Sequence, residues 1–344
     1  MEAVARALLL LGCAGGLHAL PAQSSLPAES LAVKVPQGWR TWWVAPRAPR
    51  TWLAADTSLA PVVRWQRASD GVDHASLDLR TNALVRDLRV TLVRMDPRVV
   101  RLALHANVAD RAMHPWTIGA APATAVVASN AGQFTDAGPW GWMVHAGREL
   151  QPPATGPLSM ALVVDSSGGV DLLPPSAFMG DRPAGIREAL QSYPALLRGD
   201  GEVPPEVLGD VPGIDVGHRD TRLAIGILRD GRVLLALTRV LVMGRPLGPT
   251  PMGLTSAETA ALMGALGARR AMMLDGGLST QLLVRPDGGT PLAWHGLRSV
   301  PVGLAFTRQV VGTSSTIQPS RTVMMREPKR AFSSECVTCT IVVP

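Results

Sequence analysis

Lysine, cysteine and most aromatic side chains are scarce in this 344-residue chain. Lys34 and Lys329 are its only lysines, and nine Trp stand beside one Tyr and four Phe. A core must therefore be assembled mainly from Ala, Val, Leu and Met. Three cysteines, Cys13, Cys336 and Cys339, sit at the two ends. Their placement leaves the central body with no disulfide framework and no thiolate metal cage. Cys336-Val-Thr-Cys339 has the spacing of a redox or half-zinc motif, but no second pair and no βαβ unit accompany it, so the pair reads as incidental. The formal charge of +6 is almost all arginine, scattered among acids rather than gathered in a stripe. That distribution argues against a nucleic-acid partner. No run reaches the roughly 20 apolar residues of a membrane-spanning helix.

Hydrophobic residues make up 47% of the chain, enough for a sizeable core, and 34 Gly and 29 Pro imply many turns. Residues 1–22 carry Arg6, the run Ala7-Leu-Leu-Leu-Leu11 and small residues at Ala19 and Ala22, the pattern of a signal peptide. Secretion or residence in the periplasm or cell envelope is the expectation. Leu10-Leu-Gly-Cys13 also resembles a lipoprotein box, so a lipid anchor at Cys13 is the alternative and the one membrane attachment foreseen. Residues 23–84 read as a Pro- and Trp-rich segment, with Trp39, Trp42, Trp43 and Trp52 either packing residues or a sugar platform. A main domain is expected over 85–307 and a disordered tail over 308–344.

Within the main domain, Val85–Arg94 and Val99–Leu104 flank an Asp96-Pro97 turn and read as a hairpin. Ala123–Ser129 and Leu158–Asp165 are further strands, and Ile186–Ser192 reads as a short helix or turn. Leu223–Leu228, Asp230-Gly231 and Arg232–Val240 form the clearest hairpin, since Asp-Gly suits the positive φ of a tight turn. One helix follows, with Thr255 and Glu258 spaced as a capping box and Gly267 as its terminator. The pattern predicts an α+β fold with a mixed or antiparallel sheet and few helices.

Four polar segments punctuate these elements. Met273-Leu-Asp-Gly-Gly-Leu-Ser-Thr280 puts a carboxylate after a buried strand, with two glycines that let backbone approach a ligand. Asn130 ends a strand, Gln191 and Ser192 precede Tyr193-Pro194, and Arg222 stands at a strand mouth where its fork can grip a phosphate. Each also has a plain structural reading as turn, cap or surface ion pair. In order, Asn130-Ala-Gly-Gln-Phe134, Gln191-Ser-Tyr-Pro194, Arg222-Leu-Ala-Ile-Gly226, Gly253–Glu258, Leu274–Thr280 and Arg298–Gly303 resemble the phosphodiester glycosidase family. That family includes the enzyme uncovering mannose 6-phosphate on lysosomal hydrolases and many bacterial envelope proteins. The chain departs from the family pattern at Ala131, at Gln133-Phe134 and at Leu223.

The resemblance implies hydrolysis of a sugar 1-phosphodiester at its glycosidic bond, with a sugar phosphodiester or glycan as partner. It assigns Asp275 the catalytic role and Asn130, Gln191, Arg222, Gly277, Ser279 and Thr280 substrate binding. Asp200 and Asp220 are candidate second carboxylates, and His145 and His218 candidate proton carriers. No ligand spacing demands a metal, and no cofactor is expected. A non-catalytic carbohydrate-binding envelope protein of the same fold is the competing class.

Overall fold

Hydrophobic alternation along this chain resolves almost entirely into strands. The computed structural model describes residues 29–309, apart from 84–85, 110–111, 157, 210–213, 249 and 251. The leader at 1–22, the tail from 310 and all three cysteines lie outside the described residues. In chain order come β1 (Ser30–Val35), β2 (Gly38–Val44), β3 (Val72–Thr81), β4 (Asp87–Met95), β5 (Val100–Ala109) and β6 (Ala125–Asn130). Next are β7 (Met160–Asp165), β8 (Ile186–Ser192), β9 (Ala195–Leu197), β10 (Leu223–Leu228) and β11 (Val233–Val242). Helix α1 (Ser256–Ala265) precedes β12 (Ala268–Met273), β13 (Leu282–Val284) and β14 (Val302–Arg308).

The largest sheet runs β9-β12-β10-β11-β4-β3-β1-β2, with Gln66–Ser69 beside β3 and Arg245–Pro246 beside β11. A six-stranded sheet is ordered Leu292–Trp294, β13, β6, β14, β5, Ala112–His114. A five-stranded sheet is ordered Arg148–Gln151, Met143–His145, β8, β7, Val170–Leu173. Every strand pair among the described residues is antiparallel. With one α-helix among those residues, the fold is α+β and antiparallel.

Two apolar layers hold the sheets. One face of the large sheet packs Leu77, Leu79, Val90 and Ala236 against α1 and the buried rings of Trp43 and Trp52. Its other face packs Val93, Ile225 and Leu235 against the two smaller sheets through Val127, Leu190 and Leu304. The helix is walled on nearly all sides, because nine of its ten residues are buried. A Cβ at Gly264 would sit 2.2 Å from the Trp52 ring, so only glycine lets that indole lie against the helix.

Local signals explain the element ends. Thr255 accepts from the Glu258 amide at 3.2 Å while the Glu258 carboxylate accepts from the Thr255 amide at 3.0 Å, closing the capping box. The β10–β11 turn places Gly231 at φ +85. Three elements differ from expectation. Val85–Arg94 and Val99–Leu104 do not form a hairpin: β4 pairs with β3 and β11 in the large sheet, whereas β5 pairs with β14 in the six-stranded one, because each strand buries its apolar face better against those distant partners. Residues 23–84 contain β1, β2 and β3, and β3 pairs along its whole length with β4, so the large sheet crosses the boundary expected at 85. Ile186–Ser192 is the buried strand β8, not a helix or turn, because it fills the slot between β7 and Met143–His145. There, burial on both faces overrides the helix preference of Arg, Glu, Ala and Leu.

Candidate active site

The Asp275 loop leaves β12 at the edge of the apolar layer between sheets. Its backbone is pinned from two sides: the Asp275 amide donates to the Ala131 carbonyl at 2.9 Å, and the Leu274 amide to the Leu223 carbonyl at 2.8 Å. Asn130, fully buried at the end of β6, donates its side-chain amide to the Asp275 carbonyl at 2.7 Å and accepts from the Gln281 amide at 2.8 Å. One asparagine therefore fixes both ends of the 275–281 segment.

The glycines do a second job. Gly277 adopts φ +55, and a Cβ there would lie 2.7 Å from the Asp220 carboxylate. The Gly277 amide donates to the Thr221 carbonyl at 2.9 Å, and a Cβ on Gly276 would meet that same carbonyl at 2.8 Å. The Asp-Gly-Gly segment is thus laid directly on residues 220–221. Asp220, Arg222 and Asp275 come to line one cleft of about 290 Å³, together with Gln133, Tyr193 and Ser256.

Electrostatics in this cleft are set by burial. Burial pushes the Asp275 pKa up from 3.8 to about 6, against the opposing pull of the Ser279 side chain and the Arg298 charge. Its Oδ2 is buried without a hydrogen-bond partner among the described residues, as is the hydroxyl of Thr280 at the end of the same loop. Asp220 is also raised by burial, with Arg222 opposing. Burial lowers Arg222, and Asp220 partly restores it. Tyr193 is raised by burial and by the neighbouring Asp275 charge. Two carboxylates that both resist ionisation share a wall with one buried guanidinium.

A match to the family model described as phosphodiester glycosidase covers residues 123–307, more than half of the chain. The chain belongs to the phosphodiester glycosidase family. No curated protein matches it. Among solved structures, the zebrafish N-acetylglucosamine-1-phosphodiester alpha-N-acetylglucosaminidase catalytic domain, auto-inhibited by its pro-peptide, is similar over 72% of this chain and 88% of that one. Identity there is 14% and the TM-score 0.48. A hypothetical protein from Synechocystis is similar at 18% identity and TM-score 0.48, over 72% of this chain and 64% of its own. A putative exported protein from Burkholderia pseudomallei aligns at 17% identity and TM-score 0.43, over 64% and 74% of the two chains.

The catalytic and substrate-binding candidates from the sequence all fall in the part matching the phosphodiester glycosidases, but the structure divides them. Asp275 and Arg222 line the cleft. Arg222 donates through Nε to the Leu254 carbonyl at 2.9 Å and through Nη2 to the His218 carbonyl. Three of its five N–H donors remain unengaged. Gly277, Ser279 and Thr280 shape the Asp275 loop. Asn130 and Gln191 do not line the cleft. Gln191 accepts from the Trp142 and Ala154 amides at 2.8 and 3.0 Å and donates to the Ala154 carbonyl at 2.7 Å, so it staples loops instead of meeting a sugar.

Of the two candidate second carboxylates, Asp220 is at the cleft, whereas Asp200 is exposed beside Gly201, whose carbonyl bonds the Trp52 amide. His218 stands 3.9 Å from Asp220, while His145 pairs with Glu188 at 3.0 Å in the five-stranded sheet. Sequence reasoning passed over Gln133, which bonds the Tyr193 backbone from both ends of its amide, and Arg298, which acts on Asp275 through space. Gln133 lies inside the quoted Asn130–Phe134 segment, so its position was the available signal. Among the described residues no cluster of three or more His, Cys, Asp or Glu could hold a metal ion.

Proposed function

We propose that this chain is a hydrolase that cleaves the glycosidic bond of a sugar 1-phosphodiester, acting on an envelope or extracellular glycan. The observation that carries the reading is Asp275, a carboxylate on the cleft wall with one oxygen buried and unbonded, facing the same space as Asp220 and Arg222. Burial that raises the Asp275 pKa to about 6 beside a second carboxyl group and a guanidinium is the mark of a carboxylate kept for chemistry.

In the reaction, water oxygen bonds to the anomeric carbon, the bond from that carbon to the phosphate oxygen breaks, and its electron pair leaves with the phosphate. The water proton passes to a carboxylate. With a pKa of about 6, Asp275 is mostly ionised at neutral pH, which suits a base or nucleophile. Asp220 provides the second carboxyl group of the pair that glycosidases commonly use. A phosphate leaves readily as an anion, so protonation of the leaving oxygen is a lesser demand than with an alcohol. The three Arg222 donors without a partner among the described residues are placed to hold the phosphate, since Arg222 lines the same cleft.

The test uses the full chain, because strands ahead of residue 85 belong to the same sheet. Wild type and Asp275→Asn are incubated with an N-acetylglucosamine 1-phosphodiester, and free sugar and phosphomonoester are quantified. Release of free sugar by wild type alone supports the reading. Sugar 1-phosphate as product would indicate attack at phosphorus, and binding without turnover would leave a carbohydrate-binding protein of the same fold.

A further inference from the structure

A second cavity lies outside the cleft and outside the segment matched to the family. It is a groove of about 1020 Å³ wrapped around the β1–β2 turn, against about 290 Å³ for the cleft. Its charged lining is Lys34, Arg40, Arg64, Arg89 and Asp78, four cations against one carboxylate. That carboxylate is already neutralised, because Arg89 grips it bidentately at 2.8 and 3.1 Å. The neighbouring acids on β3 and β4 are likewise taken: Asp87 by Arg80 at 2.6 and 2.9 Å, Asp73 by Arg94 at 2.8 Å.

The cations that remain are unanswered. Lys34 and Arg40 are exposed and make no ion pair among the described residues, and Arg64 donates only to the Pro61 carbonyl at 3.3 Å. Beside them, Trp39 is half-buried in the groove wall with the Arg80 guanidinium 4.1 Å from its ring centre. Pro36 and Val62 complete an apolar strip. Cations for anionic groups next to an indole and aliphatic faces for sugar rings is the composition of a site for a charged glycan.

Its position follows from strand register. Ser76 in the groove pairs with Thr91, Thr91 with Leu237 and Leu237 with Leu223, whose carbonyl receives the Leu274 amide. One cross-strand row therefore leads from the groove to the residue before Asp275. Four strand spacings make that about 20 Å through the sheet, where Leu237 and Leu223 are buried, so a polymer reaching both sites passes over the surface and is longer than that span.

We propose that this groove binds an anionic glycan carrying repeated phosphodiesters, outside the cleft. The role of the groove in presenting that polymer for cleavage rests on the glycosidase reading above, whereas binding itself does not.

The experiment measures binding of the full chain to a synthetic decamer of phosphodiester-linked hexoses, to a neutral glucan decamer and to a ten-nucleotide oligothymidylate. Each is repeated with Lys34→Glu/Arg40→Glu/Arg64→Glu, and turnover of a small sugar 1-phosphodiester is followed in parallel. Expected are selective, salt-weakened binding of the anionic glycan and a loss of about tenfold or more in the triple variant. Small-substrate turnover should match wild type, as should a milder Lys34→Gln/Arg40→Gln variant's melting temperature. Unchanged glycan affinity in the variants, equal binding of the neutral glucan, or equal binding of the oligothymidylate would overturn the proposal. Groove binding that persists in a protein with no turnover of any diester would sink the glycosidase reading and leave the groove standing.

Discussion

Removing the Asp275 carboxylate is expected to abolish turnover while making the protein more stable. A folded-state pKa of about 6 against 3.8 means that ionisation disfavours the fold. The penalty is present above pH 6, fades as pH falls and is gone below about 4; at about 1.4 kcal/mol per unit it amounts to roughly 3 kcal/mol. Asp275→Asn should therefore raise unfolding free energy by about 1–3 kcal/mol at pH 7.5 and by almost nothing at pH 4, read from urea titrations at both values. Wild-type kcat/KM should climb with pH to a plateau above about 6, and the variant should fall by about 10³ or more. Gly277 offers a second test. Gly277→Ala imposes both a left-handed conformation and a clash with Asp220, so a loss of about 1–3 kcal/mol with at least about tenfold lower turnover is expected from denaturation and rate assays. Asp275 and Arg222 were singled out from sequence as charged groups at strand ends, and both line the cleft. That Asn130 and Gln191 bond neighbouring loops was not legible, since an amide looks the same whether it faces a sugar or a loop.

At the scale of elements, α1 is the part most exposed to a single change. Its capping carboxylate, Glu258, is also gripped by Arg219 at 2.7 and 2.8 Å, while that same guanidinium reaches the Gly253 carbonyl at 2.9 Å. Thr255→Ala removes one cap bond and should cost about 1 kcal/mol, whereas Glu258→Ala also leaves Arg219 without its anion and should cost about 2–4 kcal/mol. Chemical denaturation of the two variants distinguishes these values. The helix and the Asp230-Gly231 hairpin were legible because caps and tight turns are written within a few residues. Strands β1–β3 were not, since Pro, Trp and polar residues over 23–84 obscure an alternation that becomes evident only when β3 finds β4. For β8, local preference pointed one way and the surrounding strands the other, and the partners prevailed.

Across the whole molecule, the pairings that build the cleft join segments far apart in the chain. β4 pairs with β11, and Asn130 reaches Gln281 and Asp275, contacts that no local pattern encodes. The family resemblance conveyed them indirectly, as an ordered set of motifs. β14 occupies the middle of the six-stranded sheet, between β5 and β6. Deleting the chain from residue 300 onward should expose both neighbours as open edges and yield aggregated protein, checked by solubility and circular dichroism against full-length chain. The same placement sets a schedule. Gly303 pairs with Asn130, and the Val302 carbonyl receives the Ala131 amide at 3.0 Å, so the loop that holds Asp275 is braced by the most C-terminal strand among the described residues. While residues 300–308 are still inside the ribosome the cleft lacks this brace, so the pocket is finished only after that stretch has emerged, however early its other strands have paired.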